Sequence, residues 1–322
     1  MINRRTFLAS ALVTGPLMSV AAQAQTFPSK PITWIVPYPP GGPGDLMART
    51  VGEIVGSRLG QPVLIDNRPG AGGQIAGIAL LKADADGHVL MLGDTSTLGV
   101  NKAVYKTFGW EPVADVRGIA PMPVMPMLLL VPRNSPYNSL AELVAAAKKR
   151  EFNYASQGAG STGHLLGEML KDAAAGRFNH IPYKGSAPAM NDLLGGQVDM
   201  LFDGVPPALP QFRADKVKVL AIAGPSRITQ LPEVPTTAEL GYPGVAMSIW
   251  FGAVVRKGTP EAIVKTLNAE ITQAMKQDKV TKRFGDLGFQ PLTMGDREFG
   301  QFIQSEAQRW VAYVKDRNIT IE

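Results

Sequence analysis

The segment from Pro31 to Arg49, PITWIVPYPPGGPGDLMAR, most narrowly limits what this chain can fold into. An apolar run at Ile32–Val36 predicts a buried strand, and the prolines and glycines of Pro37–Gly44 cannot continue it. Asp45 is then expected to cap an amphipathic helix. The start of that helix presents unpaired N–H groups and the positive end of the helix dipole, so the glycine-rich loop lets an anion approach the backbone.

The loop carries no signature of a nucleotide-phosphate site. Neither a GxGxxG fingerprint nor the lysine of a P-loop occurs in it. Among the anions that a helix start can hold, a carboxylate is therefore the better candidate.

Short apolar strands alternate with helical stretches along the rest of the chain, which predicts an α/β fold whose parallel sheets have helices on both faces. Proline and methionine crowd at Ala120–Pro126, and four prolines fall within Pro225–Pro243. Both segments are expected to link two lobes that enclose a cleft. Lobe 1 is assigned to residues 25–125 and 246–322, and lobe 2 to residues 126–245.

The first 24 residues have the pattern of a signal peptide. Arg4 and Arg5 precede an apolar stretch at Phe7–Val20, and Ala22 and Ala24 supply the small residues of a cleavage site. The mature chain is expected to begin at Gln25. The paired arginines also fit a twin-arginine export signal, so both export routes remain open.

Composition excludes several classes of function. The chain has no cysteine, hence no disulfide, no thiol nucleophile and no cysteine for a lipid anchor after the leader. The formal net charge is +5 and the basic residues are scattered among acidic ones, which argues against a nucleic-acid partner. We expect an exported, freely diffusing protein that acts as a monomer.

Several motifs occur in one order along nearly the whole mature chain. They are VPYPPGGPGD at 36–45, NRPGAGG at 67–73, YAS at 154–156, GSTGH at 160–164, PYKG at 182–185, FD at 202–203, VPT at 234–236 and WFG at 250–252. Together they resemble the Bug (TctC-like) family, the periplasmic receptors of tripartite tricarboxylate transporters. The resemblance implies a two-lobed type II periplasmic binding protein fold with a ligand cleft, and membrane permease subunits as partners.

Ligands of open α/β sheets bind beyond the carboxyl ends of the strands, so the loops that follow strands hold the candidate residues. The first loop offers Tyr38, Pro40, Gly42 and Asp45, with a plain turn and helix cap as the alternative. The second offers the hydroxyls of Thr95, Ser96 and Thr97, which donate to a carboxylate or cap the next helix. The family usually shows a Ser-Thr-His run here, and Leu98-Gly99 departs from it.

The third loop combines hydroxyl donors with a helix start, through Ser156, Gly160, Ser161 and Thr162. His164, in the same helical turn, is a candidate contact, although a hydrogen-bonded structural role suits a lone histidine better.

Tyr183, Lys184 and Asp203 each lie just past a strand end and complete the set. Lys184 either pairs with a ligand carboxylate or is solvated at the rim of the cleft. Asp203 would repel a carboxylate, so it would accept from an ammonium or hydroxyl group, order waters, or hold the hinge.

No catalytic or metal-binding constellation is apparent. His88, His164 and His180 lack zinc-ligand spacing, and the chain has no GxSxG elbow. We therefore expect no metal, no cofactor and no enzymatic activity, and a small mono-, di- or tricarboxylate as ligand. A periplasmic enzyme acting on small carboxylic acids and a ligand-loaded sensor subunit remain the alternatives.

Overall fold

The computed structural model describes residues 27–317, in which strands and helices alternate as predicted. The predicted leader lies outside these residues. The strands are β1 (Ile32–Val36), β2 (Val63–Asn67), β3 (Val89–Asp94), β4 (Val116–Pro132), β5 (Phe152–Ser156), β6 (Phe178–Pro182), β7 (Met200–Gly204), β8 (Val217–Ala223) and β9 (Ser248–Arg256). The α-helices are α1 (Pro43–Leu59), α2 (Gln74–Lys82), α3 (Asn101–Val104), α4 (Leu140–Ala147), α5 (Thr162–Ala174), α6 (Ser186–Leu194), α7 (Val205–Arg213), α8 (Glu261–Met275), α9 (Asp278–Asp286) and α10 (Asp296–Asp316). A 3₁₀ helix (Ala71–Gly73) precedes α2, and a π-helix (Thr95–Val100) precedes α3.

Two groups of strands share the long strand β4. In the first sheet the order is β2-β1-β3-β9-β4, and in the second β4-β7-β5-β6, with β8 also paired to β4. Residues 116–126 of β4 pair with β9, whereas residues 127–132 pair with β7 and β8. The crossing expected at Ala120–Pro126 is therefore a continuous strand, and Pro123 lies where its pairing register with β9 shifts.

The carboxyl ends of the parallel strands in the two sheets point toward each other. β3 runs in the same direction as β4 because both are antiparallel to β9, whereas β7 runs against β4. Asp94 at the end of β3 pairs with Phe251 of β9, which pairs in turn with Met122 of β4. Gly204 at the end of β7 pairs with Met127 of β4, five residues further along that strand. Five residues of extended strand span about 17 Å, which sets the width of the cleft floor.

Each sheet is covered by its own apolar cluster. Trp34, Met47 and Phe251 belong to one cluster on the first sheet, and Phe152 and Phe202 to one on the second. This arrangement is the two-lobed α/β fold that the sequence predicts.

Helix α10 packs on both lobes. Phe299 and Ile303 in its first half join a cluster with Trp250 of β9, while Trp310 and Val314 in its second half join the cluster of the second sheet. The lobe limits assigned from the sequence, 25–125 with 246–322 and 126–245, stay a prediction.

Two glycine substitutions on adjoining elements are expected to have opposite effects on stability. A Cβ on Gly252 of β9 would overlap the Phe299 ring and lie 3.0 Å from the Ala120 carbonyl oxygen, so Gly252→Ala should destabilise by about 1–3 kcal/mol. A Cβ on Gly300, in the interior of α10, would meet nothing within 4 Å. Gly300→Ala should therefore stabilise by about 0.5–1 kcal/mol. Urea denaturation of the two variants measures both changes in unfolding free energy, and changes of the same sign would contradict the packing described for β9 and α10.

Candidate functional site

The loop after β1 is organised by the buried carboxylate of Asp45. That carboxylate accepts hydrogen bonds from the Gly41 amide at 2.9 Å, Arg49 Nε at 3.0 Å and Asn67 Nδ2 at 2.9 Å. Burial opposes its ionisation, but these donors outweigh burial and hold the pKa of Asp45 below its usual range. The expectation that Asp45 caps α1 is wrong, because Gly42 is the N-cap and Asp45 lies in the first turn, where its side chain reaches back to Gly41.

The start of α1 leaves amide donors unused. Pro43 has no N–H, and the Leu46 amide already donates to the Gly42 carbonyl. The amides of Gly44 and Asp45 donate to no group within residues 27–317. Pro40 of the same loop is exposed. This first half-site therefore offers backbone donors and the end of a helix dipole.

Asp94 ties the first half-site to the π-helix. Its carboxylate accepts from the Tyr38 hydroxyl and, at 2.8 Å each, from the Thr97 amide and Thr97 Oγ1, which in turn accepts from the Asp94 amide at 3.0 Å. Burial raises the pKa of Asp94, and burial together with the Asp94 charge holds the pKa of Tyr38 well above its usual value. Thr97 thus forms a capping box with Asp94, which is the N-cap of the π-helix.

Thr95 and Ser96 differ in what their hydroxyls contact. Thr95 Oγ1 accepts from the Trp250 amide at 2.9 Å and donates to the Ser248 carbonyl at 3.3 Å, which fastens the π-helix to β9. The half-buried Ser96 side chain has no hydrogen bond within the described part of the chain. Of the three predicted hydroxyl donors, Ser96 alone is free of a structural bond there.

Most polar groups of the loop after β5 hold the loop itself. Ser156 Oγ accepts from the Gly158 amide at 3.1 Å and lies 2.6 Å from His180 Nε2. The Gly160 amide donates to His164 Nδ1 at 3.0 Å. Ser161 is the N-cap of α5, and its Oγ accepts from the His164 amide at 3.3 Å.

What remains available at this loop is the first turn of α5. The Thr162 hydroxyl is buried, on a residue only 2% exposed, and has no hydrogen-bond partner among residues 27–317. The amides of Thr162 and Gly163 likewise donate to nothing there. Buried polar groups are ordinarily hydrogen-bonded, so this turn lacks an acceptor. An anion supplies one and also interacts with the positive end of the helix dipole.

Two neutral histidines pack together next to this turn. The His164 and His180 rings stack with centroids 3.8 Å apart and an angle of 9°, and Tyr154 stacks on His180 at 5.0 Å. Burial, helped by the Lys171 charge, lowers the pKa of His164 to about 4. Burial, followed by the effect of His164, lowers the pKa of His180 to about 3. His164 therefore fills the structural role expected of it, as the acceptor that holds Gly160.

Asp203 joins three loops at the carboxyl edge of the second sheet. Its carboxylate accepts from Gln157 Nε2 at 3.0 Å, from the Gly204 amide at 2.9 Å and from Ser186 Oγ. Burial raises the pKa of Asp203 to about 6 in spite of these donors. The side chain thus fixes the starts of α6 and α7 relative to the loop that precedes α5.

Tyr183 and Lys184 lie on the outer side of this edge. The Tyr183 hydroxyl donates to Asp192 Oδ2 at 2.7 Å, and Lys184 is exposed without an ion pair in the described residues. Their contact with a ligand stays a prediction, as does that of the other candidate residues.

Two negative findings concern the described residues only. In residues 27–317 no group of three or more histidine, cysteine, aspartate or glutamate side chains is placed to hold a metal ion. Over the same range no helix is both long and apolar enough to span a lipid bilayer.

Comparison with known proteins identifies the family. A family model described as the tripartite tricarboxylate transporter family receptor matches residues 47–319. The chain belongs to this family. The family resemblance read from the motifs is thus confirmed, and the protein is a receptor of the tripartite tricarboxylate transporter type.

Similar proteins match this chain over nearly its whole length. The protein BugT of Bordetella pertussis is 36% identical over 313 residues, covering 96% of this chain and 94% of BugT. An R. palustris protein solved with adipate has 32% identity and a TM-score of 0.84, covering 91% of this chain and 99% of its own. MatC of Rhodopseudomonas palustris, solved with malate, has 34% identity and a TM-score of 0.79, covering 89% of this chain and all of MatC.

Proposed function

We propose that this receptor captures a small organic carboxylate between its two lobes in the periplasm and delivers it unchanged to a membrane permease. The observation that carries the proposal is the first turn of α5, where the Thr162 hydroxyl and two amides lack acceptors within the part of the chain that the structure describes. A carboxylate accepts hydrogen bonds from both kinds of donor, as in other anion sites at a helix start.

The opposite lobe supplies the donors for a second contact. The amides of Gly44 and Asp45 begin α1 beyond the carboxyl end of β1, whose neighbour β3 points toward the second sheet. A dicarboxylate of suitable length interacts with both helix starts and favours the closed form. The adipate and malate bound by two similar proteins support dicarboxylates as the first compounds to test, together with mono- and tricarboxylates.

The nearest approach to a catalytic pair favours binding over catalysis. Ser156 Oγ lies 2.6 Å from His180 Nε2, which is the contact of a nucleophile with its base. However, Ser156 is fully buried, and His180, with a pKa of about 3, is a poor general base at neutral pH. We therefore infer capture and release without chemical change.

Export completes the proposal. Residues 1–24 act as a signal peptide and the mature protein starts at Gln25, as a monomer free in the periplasm. Intact-mass measurement of the exported protein checks the cleavage site, and a retained leader would contradict it.

A thermal-shift screen tests the binding. A ligand that binds only the folded protein stabilises it by about 2.7 kcal/mol at a hundredfold excess over Kd. Each kcal/mol raises Tm by roughly 2–4 °C in domains of this size. We expect one class of small carboxylates to raise Tm by several degrees and the matching amides to have no effect, because the donors favour a full negative charge. Equal shifts with acids and amides would contradict an anion site.

A further inference from the structure

A basic groove lies beside the cleft, between the first turn of α1 and helix α9. Its volume is about 580 Å³, and it is lined by Leu46, Lys279, Lys282, Arg283, Asp286 and Leu287. Leu46 and Leu287 are half-buried, while the three basic side chains are exposed. The groove thus combines an apolar floor with a cationic wall, and we call it the α1–α9 groove.

Two of its cations are unpaired. Lys282 Nζ lies 2.8 Å from Asp286 Oδ2, whereas Lys279 and Arg283 form no ion pair within residues 27–317. Lys279 and Arg283 are four residues apart on α9 and so occupy the same helix face. An apolar side chain flanked by carboxylates complements this surface in both shape and charge.

The groove is coupled to the relative position of the lobes. Leu46 directly follows Asp45 at the start of α1, in the first half-site. At the other end, the Gln230 side chain donates to the Gly285 carbonyl of α9, and Gln290 Nε2 donates to Ser226 Oγ at 3.1 Å. A Cβ on Gly288 would overlap Val205 at the start of α7. A change in the angle between the lobes therefore shifts α9 relative to α1 and changes the shape of the groove.

A transporter receptor needs a surface that differs between its loaded and empty forms, since a ligand acts on a partner only through such a difference. We propose that the α1–α9 groove docks an acidic periplasmic segment of the membrane permease, which inserts an apolar side chain between Leu46 and Leu287. The inference rests on the proposed function, because it needs a ligand that closes the lobes.

Charge reversal on α9 tests the groove. Lys279→Glu with Arg283→Glu reverses both free cations, while Lys148→Glu with Lys149→Glu does the same for two exposed lysines that follow α4. Purified proteins are added to spheroplasts of the source bacterium that lack the receptor, and uptake of a radiolabelled carboxylate identified by thermal shift is measured. We expect uptake to fall at least about tenfold for the α9 variant and to stay near wild type for the α4 variant. Tm shifts and ligand association rates should be unchanged in both.

Each other outcome overturns the inference. Normal uptake with the α9 variant excludes the groove as the docking surface, and an equal loss with the α4 variant shows a general charge effect. A slower association of ligand with the α9 variant shows that the cations steer the substrate instead. If the wild type binds protein-free vesicles of the bacterium's lipids and the α9 variant does not, the groove binds anionic lipid headgroups and not the permease. If no carboxylate shifts Tm, the proposed function fails, and the docking inference that rests on it fails as well.

Discussion

Thr162→Val is expected to lower ligand affinity by about 10- to 100-fold while leaving the ligand-free protein as stable as wild type or more stable. Valine has the shape of threonine without the hydroxyl. A hydrogen bond to a charged group contributes roughly 1.5–3 kcal/mol, which sets the loss of affinity. The same hydroxyl has no partner among residues 27–317, so removing it relieves the penalty of a buried unpaired group. Calorimetric titration and urea denaturation measure the two effects.

Cap residues provide the matched controls. Ser139 Oγ accepts from the Glu142 amide at the start of α4, away from the cleft, so Ser139→Ala should reduce stability by about 1 kcal/mol with unchanged affinity. Ser161→Ala removes the cap bond to the His164 amide and should reduce both stability and affinity. If Thr162→Val destabilises the ligand-free protein and keeps full affinity, the turn is not the anion site.

Acid should destabilise the wild type relative to His164→Asn. In the folded protein the pKa of His164 lies near 4, below the ordinary value of 6.5, so protons bind the unfolded chain first as pH falls. The stability that His164 contributes is complete above about pH 6.5 and is lost progressively down to about pH 4, a change of about 3 kcal/mol. Asparagine cannot titrate, and its Oδ1 can accept from the Gly160 amide in place of Nδ1.

The quantity to measure is the difference between variant and wild-type unfolding free energies at each pH. As pH falls from 7 to 4, this difference should grow by about 3 kcal/mol in favour of His164→Asn. The loss of ring stacking in the variant adds the same amount at every pH and does not affect the change. Asp203→Asn is a control of opposite sign. Burial raises the pKa of Asp203 to about 6. The unfolding free energy of wild type should therefore rise relative to that of Asp203→Asn as pH falls from about 6 to about 4. Parallel pH curves for His164→Asn and wild type would contradict the neutral, buried state of His164.

Local sequence patterns predicted the fold well because they report short-range physics. The apolar run Ile32–Val36 and the glycine-proline break after it gave the first strand, loop and helix correctly. The helix start expected beside Ser161 and Thr162 is also present, as the start of α5. β4 shows the limit of this approach. Its prolines and methionines suggested a linker, yet pairing with β9, more than a hundred residues away in the sequence, keeps the segment extended.

The roles of individual site residues depend on partners that are distant in sequence. Thr95 looked like a ligand donor, but its hydroxyl bonds to β9 residues that only the fold brings near. Asp45 likewise depends on Asn67, which lies on the neighbouring strand. No local pattern reports either contact.

Two organising residues were missed by the sequence analysis, and one had a readable signal. Asp94 forms a reciprocal cap with Thr97, and an acidic residue three positions before a threonine at a strand end is such a capping pattern. His180 gave no signal, because its place beside Tyr154 arises from the parallel pairing of β5 with β6, and its stacking on His164 from the packing of α5. Both side chains shape the site without any expected contact with ligand.

The central claim is that the protein binds a small organic carboxylate and releases it unaltered. Native mass spectrometry of protein exported to the periplasm, incubated with the carboxylates that raise Tm, tests it most directly. We expect one added acid per chain and, after denaturation, recovery of the same acid with unchanged mass and structure. A chain that retains no carboxylate, or an acid recovered in a chemically altered form, would contradict it.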